Sequence, residues 1–270
     1  MAETIHALIL GIIQGLTEFL PVSSSAHLNL FPWMMGWEIT DSFDVALHIG
    51  TLLAMIVFFF KDWVSLVCGG CKTLFKKEKN IEGTIFWKLF LITIPAAGLS
   101  VVLDKVSEKI IGDDINVEML IIAITLIVMG VVLYIADMKG KNEISYENIS
   151  WKNGFLIGLS QAIAAAFPGV SRSGITMTVA RGLGVERSAA AKFSFMLAMP
   201  ITLGAVVFDL DKFADMQVVP FVVGVVASFI VGVIVIKFLL DYLKKGSYKV
   251  FGIYRVVVGL IVIALFFVRR

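Results

Sequence analysis

A chain of 270 residues with 59% hydrophobic and only 16% charged residues, at a mean hydropathy of +0.93, is too apolar for an ordinary soluble domain, which carries about 45–50% apolar and about 25% charged residues. A net charge of +2 argues for neither a nucleic acid nor an acidic partner. These values predict a multi-pass, all-α membrane protein with one integral domain over residues 1–270.

No cleavable signal peptide is expected at the N-terminus, because a basic stretch is missing there and the first apolar run carries Gln14 and Glu18. That run, 4–34, is broken halfway by Pro21-Val22-Ser23-Ser24-Ser25. Proline removes a backbone donor and disfavours helix in the residue before it, while the serines suit the N-cap of a second arm. The stretch therefore reads as a re-entrant helix hairpin, a form tolerated at membrane depth only where protein or a watery cavity surrounds it. Gln14 and Glu18 are four apart and share one face of the first arm.

Three apolar segments follow, 44–60, 84–103 and 117–136, each near the length of about 20 residues that a spanning helix needs. Cys68 and Cys71 form a lone CxxC without a second pair or a nearby His, and are expected to be plain loop residues. The polar stretch 139–152 divides a first repeat, 1–138, from a second, 153–270. The second repeats the order of the first. A hairpin at 153–183, interrupted by Pro168-Gly169-Val170-Ser171-Arg172-Ser173, precedes spans 188–208, 217–240 and 250–268.

An ungapped offset of 147 places Gly11 on Gly158, Gln14 on Gln161, Pro21 on Pro168 and Ser24 on Ser171. A hairpin returns the chain to the side it came from and three spans change sides, so the two repeats are expected to be inverted. The lysines agree. None precedes Lys61, whereas Lys61, Lys72, Lys76, Lys77 and Lys79 crowd 61–83, which reads as a cytoplasmic loop. Residues 104–116 set two lysines against Asp104, Glu108, Asp113 and Asp114, and read as external. Only Arg269-Arg270, at an external C-terminus, fits poorly.

With one hairpin entering from each side, two helix N-termini point at one buried place, each with free N–H groups and about half a positive charge. Such ends bind phosphate, as do the broken helices of inverted-repeat transporters. Arg172 adds a planar cationic fork suited to phosphate oxygens. Glu18 and Gln14 offer oxygens to Mg²⁺ or Ca²⁺. Ser24 and His27, three apart, place a hydroxyl beside a base. The plainer readings make Ser23 and Ser25 caps, pair Glu18 with Arg172 as a structural bridge, and treat His6 and His48 as packing or interfacial residues. They also leave Asp44, Asp62, Asp104, Asp137 and Asp209 solvated at span ends.

Gln14-Gly-Leu-Thr-Glu18 with Leu-Pro-Val-Ser-Ser-Ser-Ala-His27, and Pro168-Gly-Val-Ser-Arg-Ser-Gly-Ile-Thr176, resemble the two signature motifs of the undecaprenyl-diphosphate phosphatases, the bacitracin-resistance membrane family. The resemblance covers the whole chain. It implies six spans plus two re-entrant helix pairs in inverted repeats, a homodimer, and a place in the bacterial cytoplasmic membrane with the site opening to the external or periplasmic side. The implied reaction removes the terminal phosphate of a polyprenyl diphosphate with a divalent metal, recycling the lipid carrier for cell-wall synthesis and conferring bacitracin resistance. By matching positions, Glu18, Ser24, His27 and Arg172 are expected to be catalytic. Ser23, Ser25, Ser171, Arg172, Ser173 and Thr176 are expected on the phosphates, and Glu18 with Gln14 on the metal. Ser24, His27 and water remain rival nucleophiles. An inverted-repeat transporter or flippase for a phosphorylated lipid is the alternative from another class.

Overall fold

The computed structural model describes residues 1–37, 41–112, 114–213 and 216–269; Asp113 and Arg270, two of the charges used to assign sides, lie outside them. Among the described residues the regular structure is helical, with one isolated bridge between Ile144 and Val185. The first half comprises α1 (Ala2–Thr17), α2 (Ser24–Met35), α3 (Asp41–Phe58), α4 (Phe60–Lys76), α5 (Ile81–Ile111) and α6 (Ile115–Lys139). The second comprises α7 (Trp151–Ser160), α8 (Ala162–Ala166), α9 (Arg172–Gly182), α10 (Arg187–Phe208), α11 (Val218–Leu243) and α12 (Lys249–Arg269). Five helices, α5, α6, α10, α11 and α12, are long and apolar enough to cross a membrane, and α3 with α4, bent by 72° at their junction, makes a sixth candidate. This is the pattern of a polytopic membrane protein.

Two stretches expected to be loops are helical. Residues 60–76 form α4, so Cys68 and Cys71, free and exposed, are helix residues rather than loop residues. The glycines between them have a packing reason: a Cβ on Gly69 would stand 2.7 Å from the Gly83 nitrogen, and one on Gly70 2.3 Å from the Phe86 ring. Asn80 caps α5, its side chain accepting from Gly83 N at 2.6 Å. From there α5 runs 31 residues, about 46 Å at 1.5 Å per residue, and so takes up much of the segment expected as an external loop.

Small residues bring the long helices together, as they do where no hydrophobic effect separates helix from lipid. Gly11 and Gly15 of α1 lie against Gly224 and Ser228 of α11, so these two run parallel. Gly50 of α3 meets Val225 and Ser228 on the same helix. On the other side α7 lies parallel to α5, with Gly154 on Lys88 and Ile92 and, further along, Ser107 donating to the Ala166 carbonyl of α8. Gly130–Gly252 and Ala123–Gly259 contacts make α6 and α12 antiparallel. The helix that opens each half thus lies along the penultimate long helix of the other.

Charges read as solvated turn out to be partnered. Asp137 is buried, and its Oδ1 accepts from Arg181 Nε at 2.9 Å and Arg187 Nε at 2.7 Å. Its Oδ2 accepts from Tyr248 N at 3.1 Å, which ties α6, α9, α10 and the start of α12 at one end. Asp62 pairs with Lys192 at 2.6 Å. At the other end Arg269 donates to the Trp33 and Met34 carbonyls at 2.7 and 2.6 Å. A C-terminal cation here satisfies the orphan carbonyls of α2.

Candidate active site

The site is built by two short turns. α1 ends at Thr17, and the chain passes through Glu18 to Ser23 before α2 starts. α7 breaks at Gln161 into the one-turn α8, and Phe167 to Ser171 lead into α9. Both second helices start from a serine with positive φ, Ser23 at 77° and Ser171 at 72°, a region that costs a non-glycine residue about 1–3 kcal/mol. Each serine then caps its own helix. Ser23 Oγ accepts from Ala26 N at 3.3 Å and Ser171 Oγ from Gly174 N at 3.0 Å. Each also stands 3.2 Å from the hydroxyl two residues on, Ser25 and Ser173.

At the turns the matching caps are Ser23 and Ser171, an offset of 148 where the prolines give 147, so there Val22 falls on Val170 and Ser24 on Arg172. The difference arises because Pro21 sits two residues before its cap and Pro168 three.

Two links hold the turns together. Ser173 Oγ donates to the Glu18 and Leu20 carbonyls at 3.1 and 3.3 Å. Arg255 of α12, which sequence reading did not single out, is buried with its guanidinium between the turns. It donates to Pro21 O at 3.1 Å, Gly169 O at 2.8 Å and Val170 O at 2.9 Å. Its sequence signal was plain: an arginine inside a span demands a partner.

Between the turns lies a cavity of about 260 Å³, onto which Glu18, Ser24, Ser25, His48, Gln161, Ser171, Arg172 and Ser173 open. Glu18 is its hub. Oε1 is paired with Arg172 Nη2, while Oε2 accepts from Ser24 Oγ at 2.6 Å and Gln14 Nε2 at 3.2 Å. Arg172 uses Nη1 on Thr202 Oγ1 at 2.6 Å. The starts of α2 and α9 face the same space, so N–H groups without helical acceptors and two positive helix ends converge there.

Other expected residues stand elsewhere. Thr176 is buried behind α9 with its hydroxyl engaged by Ser194 Oγ at 2.7 Å and the Arg172 carbonyl at 2.9 Å, so it supports the helix and does not line the cavity. Gln14 is fully buried and turns its amide nitrogen to Glu18, leaving Oε1 without a partner among the described residues. Ser24 and His27 are not brought together. Residues three apart differ by 60° around a helix, enough to send Ser24 to Glu18 and His27 the other way. His27 Nδ1 lies 2.7 Å from the Ser23 carbonyl, an acceptor only, so that nitrogen carries the proton. Its Nε2 then accepts from Tyr254 Oη at 2.8 Å. The pair borders a second, mainly apolar cavity of about 300 Å³ between α1, α2 and α12.

The imidazole at the cavity is instead His48, read from sequence as a packing residue. Its Nδ1 donates to the Asp44 carbonyl at 2.8 Å and its Nε2 faces Glu18 Oε2 at 3.5 Å. Among the described residues no group of three or more His, Cys, Asp or Glu is placed to hold a metal ion. What the residues present offer a hard cation is the Glu18 carboxylate, the Ser24 hydroxyl and the unpartnered Gln14 oxygen. That is a thin set, of the kind that Mg²⁺ completes with water and substrate phosphate.

Comparison with known proteins gives one family. Residues 7–261 match the family model of the bacitracin resistance protein BacA. The chain is 46% identical to an undecaprenyl-diphosphatase of Pelotomaculum thermopropionicum, over 98% of its own length and 97% of the relative's. It is 43% identical to one from Caldicellulosiruptor bescii over 98% of both chains. With one from Moorella thermoacetica it shares 41% identity over 98% of this chain and 99% of the other.

Proposed function

The chain belongs to the bacitracin resistance protein BacA family, and on that premise we infer that it is an undecaprenyl-diphosphatase of a bacterial membrane. It removes the terminal phosphate of undecaprenyl diphosphate, the activity that underlies the family's resistance to bacitracin. The observation that carries the mechanism is the 2.6 Å contact from Ser24 Oγ to Glu18 Oε2, at a cavity shared with Arg172 and two helix N-termini.

The terminal phosphate is held by Arg172 and by the N–H groups that open α2 and α9, with the Ser25, Ser171 and Ser173 hydroxyls beside them. Arg172 neutralises Glu18, and the diphosphate competes for that fork. Each phosphate oxygen that Arg172 takes up frees Glu18 to accept a proton. Ser24 Oγ then attacks the terminal phosphorus and passes its proton to Glu18. The new Oγ–P bond forms as the bridging P–O bond breaks, and undecaprenyl phosphate leaves with the bridging oxygen. Water then attacks the phosphorus of the phosphoserine; as the Oγ–P bond breaks, Glu18 returns its proton to Ser24 Oγ, and inorganic phosphate leaves with the oxygen and protons of the water. The protein does this by fixed charge and positioning, the main terms in phosphoryl transfer. A divalent Mg²⁺ or Ca²⁺ held by Glu18, Ser24 and Gln14 would add charge neutralisation at the phosphates.

The finer architecture we propose is six spans and two re-entrant pairs, α1–α2 and α7–α9, in inverted repeats. The reciprocal parallel packing of α1 on α11 and α7 on α5 supports it, as do the twin serine caps. The lysines of 61–83 support a cytoplasmic side there, and with it α1–α2 and a site that opens on the external side. A hydroxyl poised on a carboxylate favours hydrolysis over transport, since binding an anion needs neither.

Purified protein in detergent, given a polyprenyl diphosphate, is expected to release phosphate without any gradient. Chelation by EDTA is expected to suppress the release, and release unaffected by EDTA removes the metal. Ser24→Ala is expected to lose at least about 10³-fold in kcat, while lipid binding stays near normal. A fully active Ser24→Ala enzyme would falsify the serine route and leave water as the nucleophile.

A further inference from the structure

The mechanism gives no work to Gln161, a polar side chain at the cavity. It is buried at 3% exposure, opens onto the cavity, and neither Oε1 nor Nε2 has a hydrogen-bond partner among the described residues. A primary amide has two donor and two acceptor positions, and a buried one left wholly unpaired is rare unless water or a ligand completes it. The residue sits where α7 breaks into α8, a break that keeps the amide at the cavity.

We propose that Gln161 is a substrate-binding residue, holding the inner phosphate of the diphosphate, the one that stays with the lipid. The assignment rests on the phosphatase reading above. The terminal phosphorus has to lie where Ser24, Arg172 and the two helix ends converge, or Ser24 cannot reach it. The inner phosphate must therefore stand next to that cluster, on the way to the lipid. Gln161 lines the same cavity as that cluster, with Ala164 and Ala165 one helical turn further on, and Ser100 and Ile201 add weakly polar lining beside them. Its Nε2 donates to an inner-phosphate oxygen, and its Oε1 accepts from water or a protonated oxygen. Because the amide is neutral, it grips the diphosphate without adding a second cation that would retain the monophosphate product.

The test is Gln161→Met, which keeps volume and removes the amide, with Gln161→Glu beside it. Equilibrium binding of a farnesyl methylene-bisphosphonate, a non-cleavable diphosphate mimic, is measured together with KM and with inhibition by inorganic phosphate and by farnesyl monophosphate. For Gln161→Met we expect the bisphosphonate Kd, the KM and the farnesyl monophosphate inhibition constant each to rise at least about ten-fold, the size of one hydrogen bond to a charged oxygen. Inhibition by inorganic phosphate, which reads the terminal pocket, is expected to stay unchanged. The unfolding midpoint in detergent is expected to hold or rise, since an unpaired buried amide has gone. Gln161→Glu is expected to bind the bisphosphonate more weakly still, through charge repulsion. Wild-type binding and KM in a folded Gln161→Met protein would overturn the assignment, and so would an equal loss of inorganic phosphate affinity. A wild-type protein that binds the bisphosphonate but releases no phosphate would sink the phosphatase reading and leave the binding assignment standing.

Discussion

The two turns share a backbone and differ in what they carry. Glu18–Ser23 and Phe167–Ser171 each end on a serine near φ 75°, with the same cap bond and the same hydroxyl contact two residues on. At the next position one turn has Ser24 and the other Arg172. The first half also supplies Glu18 and His48, and on the proposed mechanism Glu18 is the base and Ser24 the nucleophile. The second brings the cation. The same capped turn occurs twice, and the side chain at the first helical position differs, a hydroxyl in one and a guanidinium in the other. On the proposed mechanism the first reacts and the second holds the phosphate.

The sharpest way to break this division is Arg172→Lys. If Arg172 is the phosphate holder, its fork engages two oxygens at once and an ammonium cannot copy that. We expect a folded protein that loses about 10²–10³ in kcat, or roughly 2.7–4 kcal/mol of transition-state stabilisation. If Arg172 serves only to neutralise Glu18, Lys should work nearly as well, and Glu18→Gln/Arg172→Gln should recover folding and activity together. Phosphate release and detergent stability of the three variants decide between them.

A smaller effect is expected where the turns are joined. Arg255 makes no ion pair with a carboxylate among the described residues; it spends its charge on three carbonyls, one from the first turn and two from the second. Arg255→Met leaves those carbonyls without a donor, at about 1–3 kcal/mol for each that stays buried and unpaired. We expect lower thermal stability and, at a temperature where the variant is folded, a fall of roughly ten-fold in kcat from misaligned helix ends. Unchanged kcat in a destabilised Arg255→Met protein would make the arginine a fold residue with no part in aligning the turns.

The broad plan was legible because it rests on strong signals. Spans of about 20 apolar residues and prolines followed by serines give helices and breaks without any tertiary knowledge. The Glu18–Arg172 meeting was legible for a related reason, since opposite charges at two membrane-depth breaks have few other partners. What failed depended on angles and on long-range packing. Spacing pairs His27 with Ser24, but the 60° between them around α2 and hydrogen bonds to the Ser23 carbonyl and Tyr254 hold His27 away. His48 was set aside as a lone histidine, although the same cost of an ionisable group in lipid that singled out Glu18 applied to it. Asp137 reads as solvated from its place at a span end; only the fold brings Arg181 and Arg187, more than forty residues later, onto it. The lysines of α4 read as loop charges, whereas Gly69 and Gly70 mark a face closely packed on α5.

The smallest effect tests whether the two caps are the same device. A serine at positive φ pays a conformational cost that glycine does not, while the loss of its capping hydroxyl costs only a few tenths of a kcal/mol in the change to glycine and about 1 kcal/mol in the change to alanine. Alanine keeps the strained backbone and loses the cap; glycine loses the cap and relieves the backbone. At both Ser23 and Ser171 we therefore expect glycine to be near neutral in thermal stability and alanine to be the worse substitution, by about 1 kcal/mol or a little more. The parallel matters more than the size. If the turns are equivalent at offset 148, the glycine–alanine gap should agree at the two positions within a few tenths of a kcal/mol, because each serine makes the same two contacts. Ser24, the partner of Ser171 at offset 147, should behave otherwise. It occupies a first helical position, where alanine is the better helix former by about 0.8–1.0 kcal/mol over glycine, so the order of the two substitutions reverses. A Ser24 series that ranks like Ser171, with Ser23 as the exception, would favour the offset of 147 and separate the twin caps.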